Sequence, residues 1–187
     1  MKSPYYFIVE PKDGKRYANE KNIGGIDILV SSSEEDHKHS NREAIVISTP
    51  LGYSGPIKEG DTLLVHHNVF KFYNDMKGRR RSGRSFMFDN TFFVDDEQFF
   101  LYKRDGIWHP HHKYSFVKPI PAENSLLISG SPNEPLKGEM VYPNEYLSSK
   151  GIKSGDIVCY TPDSEYEFYV DGELMYRVID QFITMTL

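Results

Sequence analysis

The sequence predicts an all-β protein of two related small β-barrels in tandem, and three observations carry that reading. Strand signals run through nearly the whole chain, no segment has the long apolar period of a capped helix, and one order of short motifs occurs twice. Ile57-Lys58-Glu59-Gly60-Asp61 returns as Ile152-Lys153-Ser154-Gly155-Asp156, an offset of 95. Upstream of each, Arg42-Glu43-Ala44-Ile45-Val46 resembles Lys137-Gly138-Glu139-Met140-Val141. Downstream, Phe92-Phe93-Val94-Asp95-Asp96-Glu97 resembles Phe168-Tyr169-Val170-Asp171-Gly172-Glu173, an offset of 76. Three blocks in one order indicate a duplicated unit, and 95 − 76 leaves 19 extra residues in the first copy. The expected modules are residues 1–108 and residues 109–187, the first decorated.

The expected strands of the first module are Tyr5 to Val9, Ala44 to Ser48, Thr62 to His66, Phe86 to Val94 and Gln98 to Tyr102. Those of the second are Tyr114 to Val117, Glu139 to Tyr142, Ile157 to Tyr160, Glu165 to Val170 and Glu173 to Val178. Each is short, rich in β-branched and aromatic residues, and bounded by Gly, Pro, Asn or Asp. Many short strands at close spacing favour small barrels or sandwiches, which close or fold back to protect their edges. The pairs Gly60-Asp61 and Gly155-Asp156 mark tight turns: glycine takes positive φ without steric cost, and the aspartate accepts backbone donors.

Composition narrows the function classes. The 187 residues carry a net charge of −5, which argues against whole-protein affinity for nucleic acid or acidic membranes. The single Cys159 cannot form an internal disulfide and is expected as a small buried core residue. No apolar run approaches the roughly 18 residues of a membrane span, and Met1 to Tyr6 lacks a signal-peptide pattern, so a cytoplasmic protein is expected. Trp108-His109-Pro110-His111-His112 holds no metal-ligand spacing and reads as an inter-domain linker; His66-His67 and His37 with His39 read as strand-end and loop residues. Nucleophile triads, phosphate loops and paired carboxylates in context are absent, so no catalytic residue, cofactor or metal is assigned. The basic run Lys77-Gly78-Arg79-Arg80-Arg81-Ser82-Gly83-Arg84, near Phe70, Phe72 and Tyr73, could serve an OB-like single-strand binder. Flanking glycines and the acidic chain favour instead a solvated hairpin, or one touching an acidic neighbour.

Residues 12 to 41 are too long and polar for an ordinary connection. They enclose an apolar island, Ile26 to Val30, behind Gly24-Gly25. Such an island suggests a recognition element that orders on binding, with an extra strand at the barrel edge as the alternative.

The duplicated order resembles the GroES-like co-chaperonins, over nearly the whole chain. Phe7-Ile8-Val9-Glu10-Pro11 matches the family's early strand and Gly24-Gly25-Ile26-Asp27-Ile28-Leu29-Val30 its mobile loop, with the glycines as hinge. In the second copy Phe116-Val117-Lys118-Pro119 matches the opening, and Leu126-Leu127-Ile128 lies within a loop-like stretch. The doubled form is similar to the tandem co-chaperonins of chloroplasts and equally to a bacteriophage co-chaperonin analogue. The resemblance implies two GroES-like, OB-like barrels, a homo-oligomeric ring, and capping of a GroEL-type chaperonin by apolar loops, with no bond made or broken. The contact residues it implies are Ile26, Ile28, Leu29 and Val30, with Leu126, Leu127 and Ile128 either a second hook or a strand with barrel contacts.

Asp27 departs from the family's apolar triplet. In an extended segment Ile26, Ile28 and Val30 share one side, so Asp27 can stay hydrated; alternatively the contact shifts to Ile28-Leu29-Val30. Gln181 to Leu187, or Tyr5 to Val9, is expected to pair with a neighbouring copy's edge. The rival reading is a structural or adaptor protein, of a virion for instance, that uses the same barrels for assembly.

Overall fold

Alternation of apolar and polar residues converts these segments into antiparallel sheets, each burying one face. In the computed structural model, residues 1–17, 41–122 and 133–187 are described in full, and residues 20–23 and 26–29 by their backbone. The chain divides into two units, Met1–Ile107 and Trp108–Leu187.

The first unit contains β1 (Phe7–Pro11), β2 (Glu20–Ile23), β3 (Ile26–Leu29), β4 (Glu43–Ser48), β5 (Thr62–Val65), β6 (Phe72–Asn74), β7 (Arg80–Ser82), β8 (Phe86–Phe88), β9 (Thr91–Val94) and β10 (Phe99–Arg104). The chain passes to the second unit within β11 (Ile107–Pro110). There follow β12 (Tyr114–Pro121), β13 (Asn133–Tyr142), the short helix α1 (Glu145–Ser149), β14 (Ile157–Tyr160), β15 (Tyr166–Val170), β16 (Glu173–Ile179) and β17 (Ile183–Thr186).

The main sheet of the first unit has the order β11-β10-β5-β4-β1-β9-β8, and that of the second β15-β16-β12-β13-β14-β17. Reversed, the second order repeats β10-β5-β4-β1-β9-β8 strand for strand. The core repeats with it. Val9, Val46, Leu63, Val65, Val94 and Ile57 of one unit stand where Val117, Met140, Val158, Tyr160, Val178 and Ile152 stand in the other. All but Ile152 are buried, each contributing about 1.5–3 kcal/mol relative to exposure.

The all-β expectation holds, but closure does not. The outermost strands of each order do not pair, so neither sheet is a closed barrel. Strand spacing along a sequence sets how many strands form, not whether the first and last come within the roughly 4.8 Å of a ladder. Matching register irregularities at Ile8/Val9 and Phe116/Val117 bend each sheet at the same place.

A second correction concerns the third repeat block. Phe92 to Val94 lies in β9, beside β1, whereas Phe168 to Val170 lies in β15, the outer strand of its hairpin. The true counterpart of Phe168 is Phe86: the hairpin turns at Asp89 and Asp171 share φ of 49°. That offset is 82, so the excess is 13 residues, and it contains the separate hairpin β6–β7. Both blocks read aromatic-x-Val-Asp, and the resemblance is coincidental.

The Gly-Asp turns are built alike. Gly60 has φ of 90° and Gly155 of 92°. In each, the aspartate carboxylate accepts the amide of the lysine three residues before it at 2.7 Å. The Gly60 amide donates to the Val46 carbonyl at 2.8 Å and the Val46 amide to the Asp61 carbonyl at 2.9 Å; Gly155, Met140 and Asp156 repeat this at 2.8 and 2.8 Å. Asp61 additionally pairs with Arg104. Gly138 meets a different need: a Cβ there would lie 3.0 Å from the Lys118 carbonyl oxygen and from Val117.

Two smaller expectations change. Cys159 is half-buried, because strand alternation gives the core face of β14 to Val158 and Tyr160. Tyr5 to Val9 cannot donate a strand to a neighbour as expected, since β1 is paired on both sides, to β4 and β9; β17 is paired to β14 and remains outermost.

Gly60→Ala and Gly155→Ala should each lower unfolding free energy by about 1 kcal/mol or more, because alanine resists positive φ. Asp61→Ala should cost more than Asp156→Ala in urea titrations, since Asp61 holds an arginine as well as the turn amide.

Candidate functional site

The segment expected to act leaves the first sheet after β1 and returns at β4. Its base is built from short-range polar contacts. Lys12–Gly14 form one 3-10 turn, with Asp13 at φ of 59°. Asn41 closes the stem: its side-chain amide donates to the carbonyls of Lys12 at 3.0 Å and Lys15 at 2.7 Å, and its backbone amide to the Arg16 carbonyl at 2.9 Å. Its side-chain oxygen accepts the Glu43 amide at 2.9 Å, and Lys12 pairs with Glu43. The two ends of the segment are thus tied together at the sheet.

Above this stem, β2 and β3 pair antiparallel from Glu20↔Leu29 to Ile23↔Ile26 as a two-stranded sheet of their own. Ile26, Ile28 and Leu29 therefore lie neither in a lone extended hook nor in an added strand of the main sheet. Periodicity alone could not reveal this, because Glu20-Lys21-Asn22-Ile23 carries little strand propensity and forms through its partner. Gly24, Gly25 and Val30 lie outside the described residues, as do Leu126, Leu127 and Ile128 of the second expected loop.

Arg16 anchors the stem to the inserted hairpin, a role its sequence context did not signal. Its guanidinium lies over the rings of Phe72, Phe92 and Phe86 at 4.2, 4.6 and 4.9 Å. It donates to Ser82 Oγ at 2.9 Å and Asn90 Oδ1 at 3.4 Å. Burial, and then the nearby Arg80, holds its pKa below the ordinary arginine value. Tyr17 stacks on Phe72, and its hydroxyl accepts the Phe72 amide at 2.9 Å. Arg80 covers the Phe72 ring at 3.8 Å. Phe70 is fully buried. The aromatics that could have stacked on bases are thus occupied, leaving Tyr73 half exposed.

The histidine-rich stretch begins at the division between the two units and is held by specific contacts. Trp108 is buried and donates to Asp171 at 3.0 Å. Asn144, 1% exposed, caps α1 by accepting the Leu147 amide at 2.9 Å, donates to the His112 carbonyl at 3.1 Å and to Asp180 at 2.9 Å, and receives support from Ser115. His111 is buried, and desolvation followed by His112 lowers its pKa to about 3. No helix among the described residues is long and apolar enough to cross a membrane.

Searches of protein-family models and of curated proteins return no match to this chain.

Arg16→Met should keep most of the ring packing while losing the charge and both hydrogen bonds. A loss of about 1–2 kcal/mol is expected, with faster proteolytic cleavage between residues 18 and 40. A separate expectation follows from His111. Its folded pKa is depressed, so the unfolded chain takes up the proton first as pH falls below about 6.5. Stability should decline from there toward pH 3, and His111→Gln should flatten that part of a pH series of thermal melts.

Proposed function

We propose that this chain is a tandem co-chaperonin of the GroES-like type: two curled β modules in one polypeptide that assemble into a ring and cap a GroEL-type chaperonin. The observation that carries the reading is the repeated module, with one strand order and one Gly-Asp turn geometry, combined with an apolar segment set on a pinned stem outside the main sheet. A repeated module alone would suit any assembly protein. The added feature is a long polar excursion whose apolar residues sit in a two-stranded hairpin, an element of marginal stability by itself and suited to reshape on a partner.

The docking residues are Ile26, Ile28, Leu29 and Val30, hinged at Gly24 and Gly25, with Leu126, Leu127 and Ile128 as the second module's counterpart. In an extended docked segment the alternation Ile26-Asp27-Ile28 would present the two isoleucines to the chaperonin together and leave the carboxylate out of the contact. Each loop binds weakly because docking orders it. A ring presenting several loops makes the later contacts intramolecular, so capping is firm while individual contacts release readily when the chaperonin changes state. Protein folding assisted in this way consumes the chaperonin's ATP and requires no catalytic group on the cap.

The adaptor reading shares the module and differs at the loop, which would pack within its own assembly. The test is co-sedimentation with a GroEL-type ring, with and without ATP. Wild type should co-sediment in a nucleotide-dependent manner. Ile28→Asp should weaken that binding at least tenfold with the melting temperature retained, since it places a charge on the docking face. Asp27→Leu should bind as well as wild type or more tightly. Wild-type binding by Ile28→Asp would move the hook elsewhere, and unfolding by it would return residues 26 to 29 to the core.

A further inference from the structure

The inserted hairpin and the outer strand of the second sheet are complementary in charge and in surface chemistry. Residues 72–84 hold Lys77, Arg79, Arg80, Arg81 and Arg84 against Asp75, net +4, so the remaining residues carry −9. Residues 161–173 hold Asp163, Glu165, Glu167, Asp171 and Glu173 and no lysine or arginine, net −5.

The hairpin is a shaped arm. Asp75 accepts the amides of Lys77 and Arg79, each at 2.9 Å, and the Arg81 side chain at 3.4 Å. Strand alternation splits its cations. Arg80 lies over the Phe72 ring while staying exposed. Arg81 lies opposite Tyr73 in register, leaving an exposed face of Tyr73, Arg79 and Arg81 with Lys77 and a fully exposed Met76 at the tip. On β15 the inner face takes Phe168 and Val170, while Glu167 and Tyr169 are exposed, as is Glu165 just before the strand. β15 also ends its sheet, so its outer edge is a site for further contact.

We infer that the β6–β7 arm of one copy docks on the acidic β15 edge of a second copy. Arm and acceptor are different surfaces, so the contact either is made twice over in a two-fold dimer or passes head to tail from copy to copy until it closes. Single-stranded nucleic acid is the less favoured occupant: Phe70 is in the core and Phe72 is covered on the arm by Arg16 and Arg80, so the cations lack a row of open rings for bases. This contact supplies the assembly invoked above and does not depend on any chaperonin.

Sedimentation velocity on the full chain tests it without a chaperonin. Wild type should self-associate, with association weakening as salt rises. Lys77→Glu with Arg79→Glu should weaken self-association at least tenfold, and Glu165→Lys with Glu167→Lys should do the same. The two pairs combined in one chain should restore it. All four positions are exposed, so thermal melts should be unchanged. A monomeric wild type, unaffected association in either variant, or no restoration in the combined variant overturns the inference. So does binding of a fluorescent single-stranded oligonucleotide that the arm variant abolishes while self-association persists. Loss of chaperonin binding with self-association intact would count against the capping function and leave this contact standing.

Discussion

Everything in the two units depends on how the Gly-Asp turn is sewn to the strand before it. A strand entering the core after a tight turn must satisfy its first polar groups, since unpaired buried amides and carbonyls are costly. Here the glycine's positive φ turns its amide onto Val46 or Met140, and the aspartate returns the bond through its own carbonyl while its side chain holds the lysine amide. That arrangement fixes the register of β4 on β5 and of β13 on β14. Register fixes which side chains face inward, because a slip of one residue would invert every face. The six equivalent core positions follow from it.

Around this shared frame the units differ where sequence was added. The first carries the stem of residues 12 to 41 and the β6–β7 arm; Arg16 and Tyr17 tie the two through Phe72, Ser82 and Asn90. A guanidinium among three rings, with Ser82 and Asn90 accepting from it, is a fixed support in the midst of polar sequence. The second unit has its own buried polar device, in which Asn144 joins Ser115, the His112 carbonyl, Asp180 and the first turn of α1. Fully satisfied networks of this kind specify one arrangement, because losing any member strands the others.

Much of this was legible in the sequence. The strands around Ala44, Thr62 and Ile157 and both Gly-Asp turns were marked by β-branched runs and by glycine at the turn, all local signals. Phe86 to Val94 read as one strand because apolar residues flank Asp89-Asn90 on both sides; the structure turns a hairpin there, with Asp89 left-handed. Gly138 read as one letter of a motif, and its reason is a carbonyl 3.0 Å from where a Cβ would stand. Arg16 gave no sequence signal, since its partners lie tens of residues away, and Asn41 and Asn144 each combine one local bond with distant partners that the sequence does not mark. Sheet closure was illegible for the same reason: it is a relation between the first and last strands.

For the candidate loop, sequence supplied the apolar island and structure supplied its stem and hairpin pairing. Amide hydrogen exchange reads most directly whether this segment meets a chaperonin, as proposed above. Full-length protein would be labelled alone and with a GroEL-type ring plus ATP. If the proposed capping function holds, protection rises strongly across residues 20–29 on adding the ring, with the core strands β4, β5, β13 and β14 unchanged. Unchanged exchange at residues 20–29 in a sample that does bind the ring would contradict it.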